Sequence, residues 1–292
     1  MTDSFEVPRC CQIMCPNRQG SLSYNLPSAS LPPVVASEVV DIHSHILFGL
    51  DDGAKTLDDS IVMMRLAADS GTTDIVATPH ASTEFRFNPD LISQKIAELQ
   101  AAVGPLPRVH SGCDFHLTLE NIQDALANPA KYAINHLCYL LVEFPDVLIP
   151  RTTQEIFDRL LGAGLTPIIT HPERNALLHT RLDQLQSWVE NGALVQVTAG
   201  SLLGGFGRTA KSVATELVNR NLVHFIASDA HDTRHRTPLL RDAYDYVATI
   251  WSERLSETLF TTFPKAVIAG EAIPLLDREA ASAKRKWYRL GF

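Results

Sequence analysis

The chain has 292 residues, of which 45% are hydrophobic and 20% charged, a composition typical of a globular protein with enough chain for a large core. Its formal net charge of −8 excludes the broadly basic surface on which general nucleic-acid binding depends, so no nucleic-acid partner is expected. No apolar run approaches the roughly 18 to 20 residues of a membrane span, and no secretory signal pattern is present, so we expect a cytoplasmic protein.

The two ends of the chain differ in composition from its middle. Residues 1–38 are rich in Pro, Ser and Asn without an apolar period, which predicts a disordered leader. Residues 39–275 carry a regular apolar pattern and are predicted to form one domain. Residues 276–292 include a basic, aromatic stretch and are predicted to be a solvated C-terminal tail.

Within the predicted domain, short apolar runs alternate with helical periods. Strands are predicted at about 39–43, 74–78, 108–113, 138–143, 165–169, 193–197 and 222–227. Helices are predicted from the capping box of Thr56, from Asn88-Pro89, and at about 118–127, 152–163, 180–190, 208–220 and 238–262. The strands are continuously apolar, as expected when both faces of a parallel sheet are buried. Seven strand–helix units therefore favour a parallel barrel or a doubly wound sheet.

Histidines and carboxylates follow the ends of most of these strands. They are His43, His45, Asp51, Asp52, His80, Asp114, Glu143, His171, Asp229 and His231. In a parallel barrel, functional groups gather where the strands end and the following loops begin. Imidazole and carboxylate are ligands for Zn, Mn or Fe. Each motif alone is typical of a turn or a hydrogen-bonded histidine, but their joint placement predicts a multinuclear metal site.

Two arginines and six further histidines accompany these residues in the sequence. Arg174 and Arg236 each follow a ligand motif by a few residues, and the planar guanidinium suits a phosphate dianion. The alternative for both arginines is a surface salt bridge. The role of His116, two residues beyond Asp114, is left open. Five further histidines are predicted to be structural or surface residues: His110, His136, His179, His224 and His235.

These motifs give the chain a resemblance to the PHP (polymerase and histidinol phosphatase) superfamily. More narrowly, it resembles the bacterial metal-dependent protein-tyrosine phosphatases of capsule and exopolysaccharide operons. The motifs are Asp-Ile-His-Ser-His, Asp-Asp-Gly, Thr-Pro-His, His-Pro-Glu-Arg and Ala-Ser-Asp-Ala-His, spread over about residues 39–269. The resemblance implies a distorted (β/α)7 TIM-like barrel. It also implies a manganese-dependent phosphatase that attacks phosphorus with a metal-activated hydroxide.

The resemblance also implies roles for particular residues. It assigns nine ligands to three ions, which are Mn²⁺, with Fe or Zn as alternatives. The ligands are His43, His45 and Asp229 for the first ion, Glu143 and His171 for the second, Asp52, His80 and His231 for the third, and Asp114 between the first two ions. Asp114 departs from the family pattern, which commonly has a longer glutamate there. Arg174 and Arg236 are expected to contact the phosphoryl group as catalytic and substrate-binding residues.

The expected substrate is a phosphotyrosine protein, in particular the tyrosine-rich tail of a bacterial tyrosine kinase that controls polysaccharide export. The thiolate route of other tyrosine phosphatases is excluded, because no cysteine is followed by arginine in a Cys-x5-Arg motif. A small-molecule phosphatase of the histidinol-phosphate type is the alternative within the superfamily. A metal-binding module without catalysis and a nuclease-like activity are further alternatives, and the oligomeric state is left open.

Overall fold

The structure, a computed structural model, describes residues 38–105 and 107–273. Its strands are β1 (Val39–Ser44), β2 (Thr72–Ala77), β3 (His80–Ala81), β4 (Arg108–Ser111), β5 (Asp114–His116), β6 (Tyr139–Glu143), β7 (Thr166–Thr170), β8 (Leu194–Thr198) and β9 (Phe225–Ala227). The predicted leader, apart from Glu38, and the predicted tail lie outside the described residues. The domain limits therefore stay predictions.

The helices follow the strands in alternation. They are α1 (Leu57–Asp69), α2 (Pro89–Val103), α3 (Leu119–Ala127), α4 (Thr153–Gly162), α5 (Leu182–Glu190), α6 (Ala199–Leu203), α7 (Gly207–Asn219), α8 (Arg241–Ile250), α9 (Glu253–Glu257) and α10 (Phe263–Ala269). Helix α1 begins with the predicted capping box of Thr56 and Asp59, and α2 begins with Pro89 after the Asn88 cap. Among the described residues, every helix is too short or too polar to cross a lipid bilayer.

All the strand pairs are parallel. One sheet has the order β1-β2-β4 and the other the order β3-β5-β6-β7-β8-β9. Only two residues separate β2 from β3, and two separate β4 from β5, so each pair is one bent strand that contributes to both sheets. Past the end of β9, Ala230 forms a β-bridge with Ser44 of β1. The order thus returns to β1 after seven strand positions, in agreement with the predicted distorted (β/α)7 barrel.

The structure corrects the prediction in three places. The strand predicted at 108–113 is broken at Gly112, where a Cβ atom would come within 2.7 Å of the Val76 side chain. This close approach requires glycine, and the chain bends there to join the second sheet. Residues predicted as helix at 238–262 form α8, α9 and a π-helical turn at Thr258–Thr262 that continues into α10. Strand β3 and helix α6 were not predicted, because each has five residues or fewer.

The buried core fixes where the strands end. One cluster draws buried residues from five strands and from α10, including Val40, Val76, Leu141, Ile168 and Phe225. These side chains pack among the strands below the polar groups, while a larger apolar cluster lies between strands and helices. The carboxyl ends of the strands are therefore held in a rigid frame, which is where the predicted ligands lie.

Candidate metal centre

The predicted metal ligands lie together at the carboxyl ends of the strands. Their ligand atoms form four overlapping groups: His43, His45 and Asp229; His43, Asp114 and His171; His45, Asp52, His80 and His231; and His80, Asp114, His116 and Glu143. Within each group all ligand atoms lie within 4.8 Å of one another. All nine predicted ligands belong to these groups, and His116 joins them.

The first group surrounds the Oδ1 atom of Asp229. This oxygen lies 3.4 Å from His43 Nε2 and 3.5 Å from His45 Nε2, and all three side chains are buried. Asp229 is placed by two backbone bonds between β1 and the segment after β9, including Asp229 N–H to His43 O at 2.8 Å. The pairing of the first and last strands thus brings Asp229 to His43 and His45, which lie 186 and 184 positions before it in the sequence.

In three of the histidines, the other ring nitrogen lies beside a protein oxygen that can accept its hydrogen. His43 Nδ1 lies 3.0 Å from Gln196 Oε1, and His45 Nδ1 lies 2.7 Å from Asp51 Oδ2. His231 Nδ1 lies 3.0 Å from the backbone oxygen of Asp229. Because each Nδ1–H donates to an oxygen, the Nε2 lone pair of each ring faces the site. This arrangement sets the tautomer in many metal-binding histidines.

The third predicted ligand set is found around Asp52. Its Oδ1 atom lies 3.4 Å from His80 Nε2 and 3.3 Å from His231 Nε2. The Asp52 side chain is 52% exposed, whereas His231 is buried, so this is the side of the centre that is open to solvent. The His45 ring connects this set to the first, with its centroid 3.9 Å from that of His231.

The second predicted set lies around Glu143 and Asp114. Glu143 Oε1 lies 3.6 Å from His171 Nε2. Asp114 Oδ2 lies 3.5 Å from His43 Nε2 and 3.3 Å from His80 Nδ1, so the shorter aspartate side chain still reaches between the groups. Glu143 stands at the end of β6 and His171 directly follows β7, which is the position that the sequence predicted for them.

Asp114 shows that this site fits a cation. Both of its carboxylate oxygens are buried without a hydrogen-bond partner, and its side chain is 1% exposed. A buried carboxylate with no donor is costly unless a positive charge compensates for it. A divalent ion bound by oxygen and nitrogen ligands would supply that charge. The donor set and this orphaned carboxylate therefore agree with a metal centre.

Burial and neighbouring charges shift the pKa values of the site. Burial, together with the charge of His231, lowers the pKa of His45 to about 4, and burial with Arg174 lowers that of His171 to about 3. These two rings are therefore neutral at pH 7, as ligands must be. Burial opposes protonation of His43 as well, but Asp114 and Asp229 raise its pKa to about 9. That proton is the one a bound cation would replace.

Two arginines converge on the second oxygen of Asp229. Arg174 donates from Nη1 to Asp229 Oδ2, and Arg236 donates to the same oxygen at 2.6 Å. The Arg174 guanidinium also lies over the Phe206 ring, 4.4 Å from its centroid. The alternative of a surface salt bridge does not describe either arginine, because both contact the buried Asp229 beside the predicted ligands.

The backbone around the centre is strained and close-packed. His171 and Asp229 adopt positive φ angles of 30° and 51°, a region that non-glycine residues rarely occupy. Such conformations cost about 1–3 kcal/mol and concentrate at functional sites. At Gly53 a Cβ atom would lie 2.1 Å from the backbone oxygen of His45. Only glycine allows the loop after β1 to fold back so closely.

Several residues of the centre were not identified from the sequence. Asp51 was noted in its motif, but its role in holding His45 was not. Gln196 is a polar residue in the apolar run of β8, and this break in the pattern was the signal for it. Glu173 is buried and accepts hydrogen bonds from Thr198 N and Ser201 Oγ, at 3.0 and 2.7 Å. It fastens the segment that carries His171 to the start of α6.

The five histidines predicted to be structural or surface residues belong to none of the four groups. His110 lies 2.8 Å from the buried Asp74, which Arg108 also contacts. His224 is buried and accepts a hydrogen bond from Val195 N at 3.2 Å. A cleft lined by Glu143, Phe144, His171 and Arg174 opens beside the groups that contain Glu143 and His171.

The fold and the site together define a class of protein. It is a parallel α/β barrel that carries a cluster of histidines and carboxylates, with two arginines, at the carboxyl ends of its strands. Barrel enzymes have their active sites at this face. Metal-dependent hydrolases use such donor sets for binding ions.

The chain belongs to the CpsB/CapC family of capsular polysaccharide synthesis, whose family model matches residues 39–269. It is 35% identical over 258 residues to CapC of Staphylococcus aureus, covering 86% of this chain and all of that one. It is 37% identical over 206 residues to the tyrosine-protein phosphatase YwqE of Bacillus subtilis, covering 68% of this chain and 79% of YwqE. These matches confirm the resemblance drawn from the motifs.

Solved structures agree with this membership. A structure described with YwqE from Bacillus subtilis and CpsB from Streptococcus pneumoniae, as metal-dependent tyrosine phosphatases, superimposes with a TM-score of 0.76 at 33% identity. The match covers 81% of this chain and 97% of that one. The lactonase Lmo2620 from Listeria monocytogenes, at 12% identity and a TM-score of 0.52, is similar in fold alone; that match covers 81% of this chain and 96% of the lactonase.

Proposed function

We propose that this chain is a metal-dependent tyrosine-protein phosphatase. The observation that carries the proposal is the convergence of nine histidine and carboxylate ligands with two arginines at one face of the barrel. Membership of a family whose relatives are named tyrosine-protein phosphatases supports the choice of substrate.

The metal part of the proposal assigns the groups of the centre to three ions. His43, His45 and Asp229 hold one, Glu143 and His171 a second, and Asp52, His80 and His231 a third, with Asp114 between the first two. We propose Mn²⁺ as the ion, with Fe or Zn as alternatives, since the centre offers imidazole and carboxylate donors and no thiolate. Bound divalent ions would activate water near neutral pH and offset negative charge on the phosphoryl oxygens.

The residues of the chain would then position the phosphoryl group. Arg174 and Arg236 present guanidinium donors from one side, where each now meets Asp229 Oδ2. Preorganised donors of this kind stabilise charge that develops on phosphoryl oxygens. A tyrosine leaving group, with a pKa of about 10, departs with less help from an acid than an alkoxide does. That suits a site in which the ionisable groups are engaged as ligands.

The proposed physiological substrate is the tyrosine-rich tail of a bacterial tyrosine kinase of polysaccharide export. The family's role in capsular polysaccharide synthesis supports this choice. Such a tail is phosphorylated inside the cell, so the proposal includes a cytoplasmic location for this chain.

A substrate panel tests the proposal. Protein stripped with EDTA and reloaded with Mn²⁺ is expected to hydrolyse a phosphotyrosine peptide, and EDTA is expected to abolish turnover. His43→Ala is expected to lose turnover, whereas His136→Ala, at an exposed histidine outside the groups, is expected to retain it. Turnover of histidinol phosphate without peptide hydrolysis would point to a small-molecule phosphatase. Bound metal without hydrolysis of p-nitrophenyl phosphate would refute a catalytic role.

A further inference from the structure

His116 lies against the metal centre although no ligand role was predicted for it. It is the last residue of β5, two positions beyond Asp114. Side chains two apart on a strand point to the same face, so Asp114 and His116 share the face that looks into the centre. His116 is the only member of the four groups that the nine predicted ligands do not include.

The strand register places His116 beside three other possible metal donors on neighbouring strands. In the β3–β5 pairing His80 lies opposite Asp114, and in the β5–β6 pairing His116 lies opposite Glu143. Neighbours across a parallel ladder project to the same side of the sheet. Three adjacent strands therefore present four donors as two side-by-side pairs. The arrangement follows from hydrogen-bonded backbone and does not depend on a mobile loop.

The positions of the donors agree with an ion between His116 and Glu143. His116 Nε2 contacts Glu143 Oε2, and His80 Nδ1 lies 3.1 Å from the same nitrogen. Two donors bound to one ion at about 2.1 Å are separated by about 3.0–4.2 Å, so the His116–Glu143 contact must open to admit the ion. The buried oxygens of Asp114, which lack any hydrogen-bond partner, complete the group.

We propose that His116 is a metal ligand that binds, through Nε2, the ion held by Glu143. Glu143 directs Oε2 to His116 and Oε1 towards His171 Nε2, at 3.6 Å, so its two oxygens lie between the two imidazoles. His80 keeps Nε2 for the set around Asp52. The second ion thus gains a nitrogen donor. The inference rests on the proposed function only in taking the centre to bind divalent ions.

The competing explanation is that His116 is a cationic partner of Glu143 and binds no ion. Two substitutions distinguish the explanations. His116→Lys keeps the positive charge beside Glu143, but a protonated lysine is not a metal ligand. His116→Asp supplies a metal ligand, but its negative charge repels Glu143. A ligand role predicts weak ion binding for His116→Lys and recovery in His116→Asp. An ion-pair role predicts the reverse order.

The experiment titrates metal-free protein with Mn²⁺ by calorimetry and with Co²⁺ by visible absorption, without substrate. His116→Lys is expected to weaken one site by at least about 10-fold, and His116→Asp to bind more tightly than His116→Lys. The control His136→Lys, at an exposed histidine on the turn before β6, is expected to bind as the unmodified chain does. Circular dichroism confirms that each variant is folded.

The inference is overturned if His116→Lys binds ions as the unmodified chain does, or if His116→Asp binds no more tightly than His116→Lys. Because the readout is ion binding, it is independent of turnover. A chain that needs His116 for binding but hydrolyses no phosphopeptide would refute the phosphatase proposal alone. A chain that hydrolyses phosphopeptide without needing His116 for binding would refute this inference alone.

Discussion

Replacing Asp51 with asparagine tests how the protein prepares a histidine for metal binding. Asp51 Oδ2 accepts from His45 Nδ1 at 2.7 Å and from His80 N at 3.1 Å, while Oδ1 accepts from Gly53 N at 2.9 Å. An asparagine has one acceptor oxygen and one amide that only donates. In either orientation, at least one of these N–H groups faces another donor, and a buried charge-assisted hydrogen bond is lost.

The structure sets the size of the effect. One lost hydrogen bond to a charged group costs about 1.5–3 kcal/mol. In a domain of this size that lowers Tm by about 3 °C or more. If the amide faces His45, the ring accepts on Nδ1 and carries its proton on Nε2, the atom that we propose binds the ion. Loss of such an orienting partner weakens metal binding by about 10- to 100-fold, or about 1.4–2.7 kcal/mol.

The assay measures both quantities on Asp51→Asn. Calorimetric titration of the metal-free protein gives the Mn²⁺ dissociation constant, and thermal unfolding without metal gives Tm. Asp58→Asn, on the exposed side of α1, is the matched control and is expected to change neither. A lower Tm with a dissociation constant within about twofold of the unmodified chain would refute the reasoning, since Asp51 would then stabilise the loop without orienting His45.

Three further predictions concern other parts of the chain. Phe206→Ala is expected to lower kcat/KM for a phosphotyrosine peptide by about 2- to 30-fold, because it removes a cation–π contact of about 0.5–2 kcal/mol that holds Arg174. Phe206→Tyr should restore kcat/KM, and unchanged kinetics in Phe206→Ala would contradict this role. Gly53→Ala is expected to destabilise the fold by more than about 2 kcal/mol in denaturant unfolding, whereas Gly162→Ala, with open space around its Cβ position, is not; equal stabilities would contradict the steric argument. Burial lowers the pKa of His224 to about 4, below its unfolded value of 6.5. The unfolded chain therefore binds the extra proton, and the free energy of unfolding falls as pH drops from 6.5 through 4, by up to about 3 kcal/mol. In metal-free protein compared at pH 7 and pH 5, His224→Gln should reduce this pH dependence, and an unchanged dependence would refute the assignment.

The barrel could be predicted from the sequence because its signals are local. Most strands are short apolar runs, the longer helices have an apolar period, and α1, α2 and α3 also have side-chain caps. The alternation of strands and helices admits few topologies. The breaks could not be predicted in the same way. A Cβ atom at Gly112 would meet the side chain of Val76 in a neighbouring strand, and nothing in the residues around Gly112 shows that contact.

Some residues of the candidate site could likewise be predicted from local sequence, and others could not. Residues such as His171 and Asp229 could be identified because each directly follows an apolar run, and the carboxyl ends of parallel strands meet. The position of His116 could not be interpreted, since its importance depends on its being opposite Glu143 in the β5–β6 register. Register between strands follows from the whole barrel, so a residue whose role depends on it gives no signal along the chain.

The centre divides the two oxygens of a carboxylate between different tasks. Asp229 directs Oδ1 to His43 and His45 and Oδ2 to Arg174 and Arg236, and it needs a φ of 51° to do so. In the proposed function, the same side chain would orient both the residues that hold the ion and the arginines that bind the phosphoryl group. A phosphoryl group that binds both arginines would have to displace Asp229 Oδ2 from at least part of its contacts. Ion binding and phosphate binding would then be coupled through Asp229, a residue held at a positive φ angle.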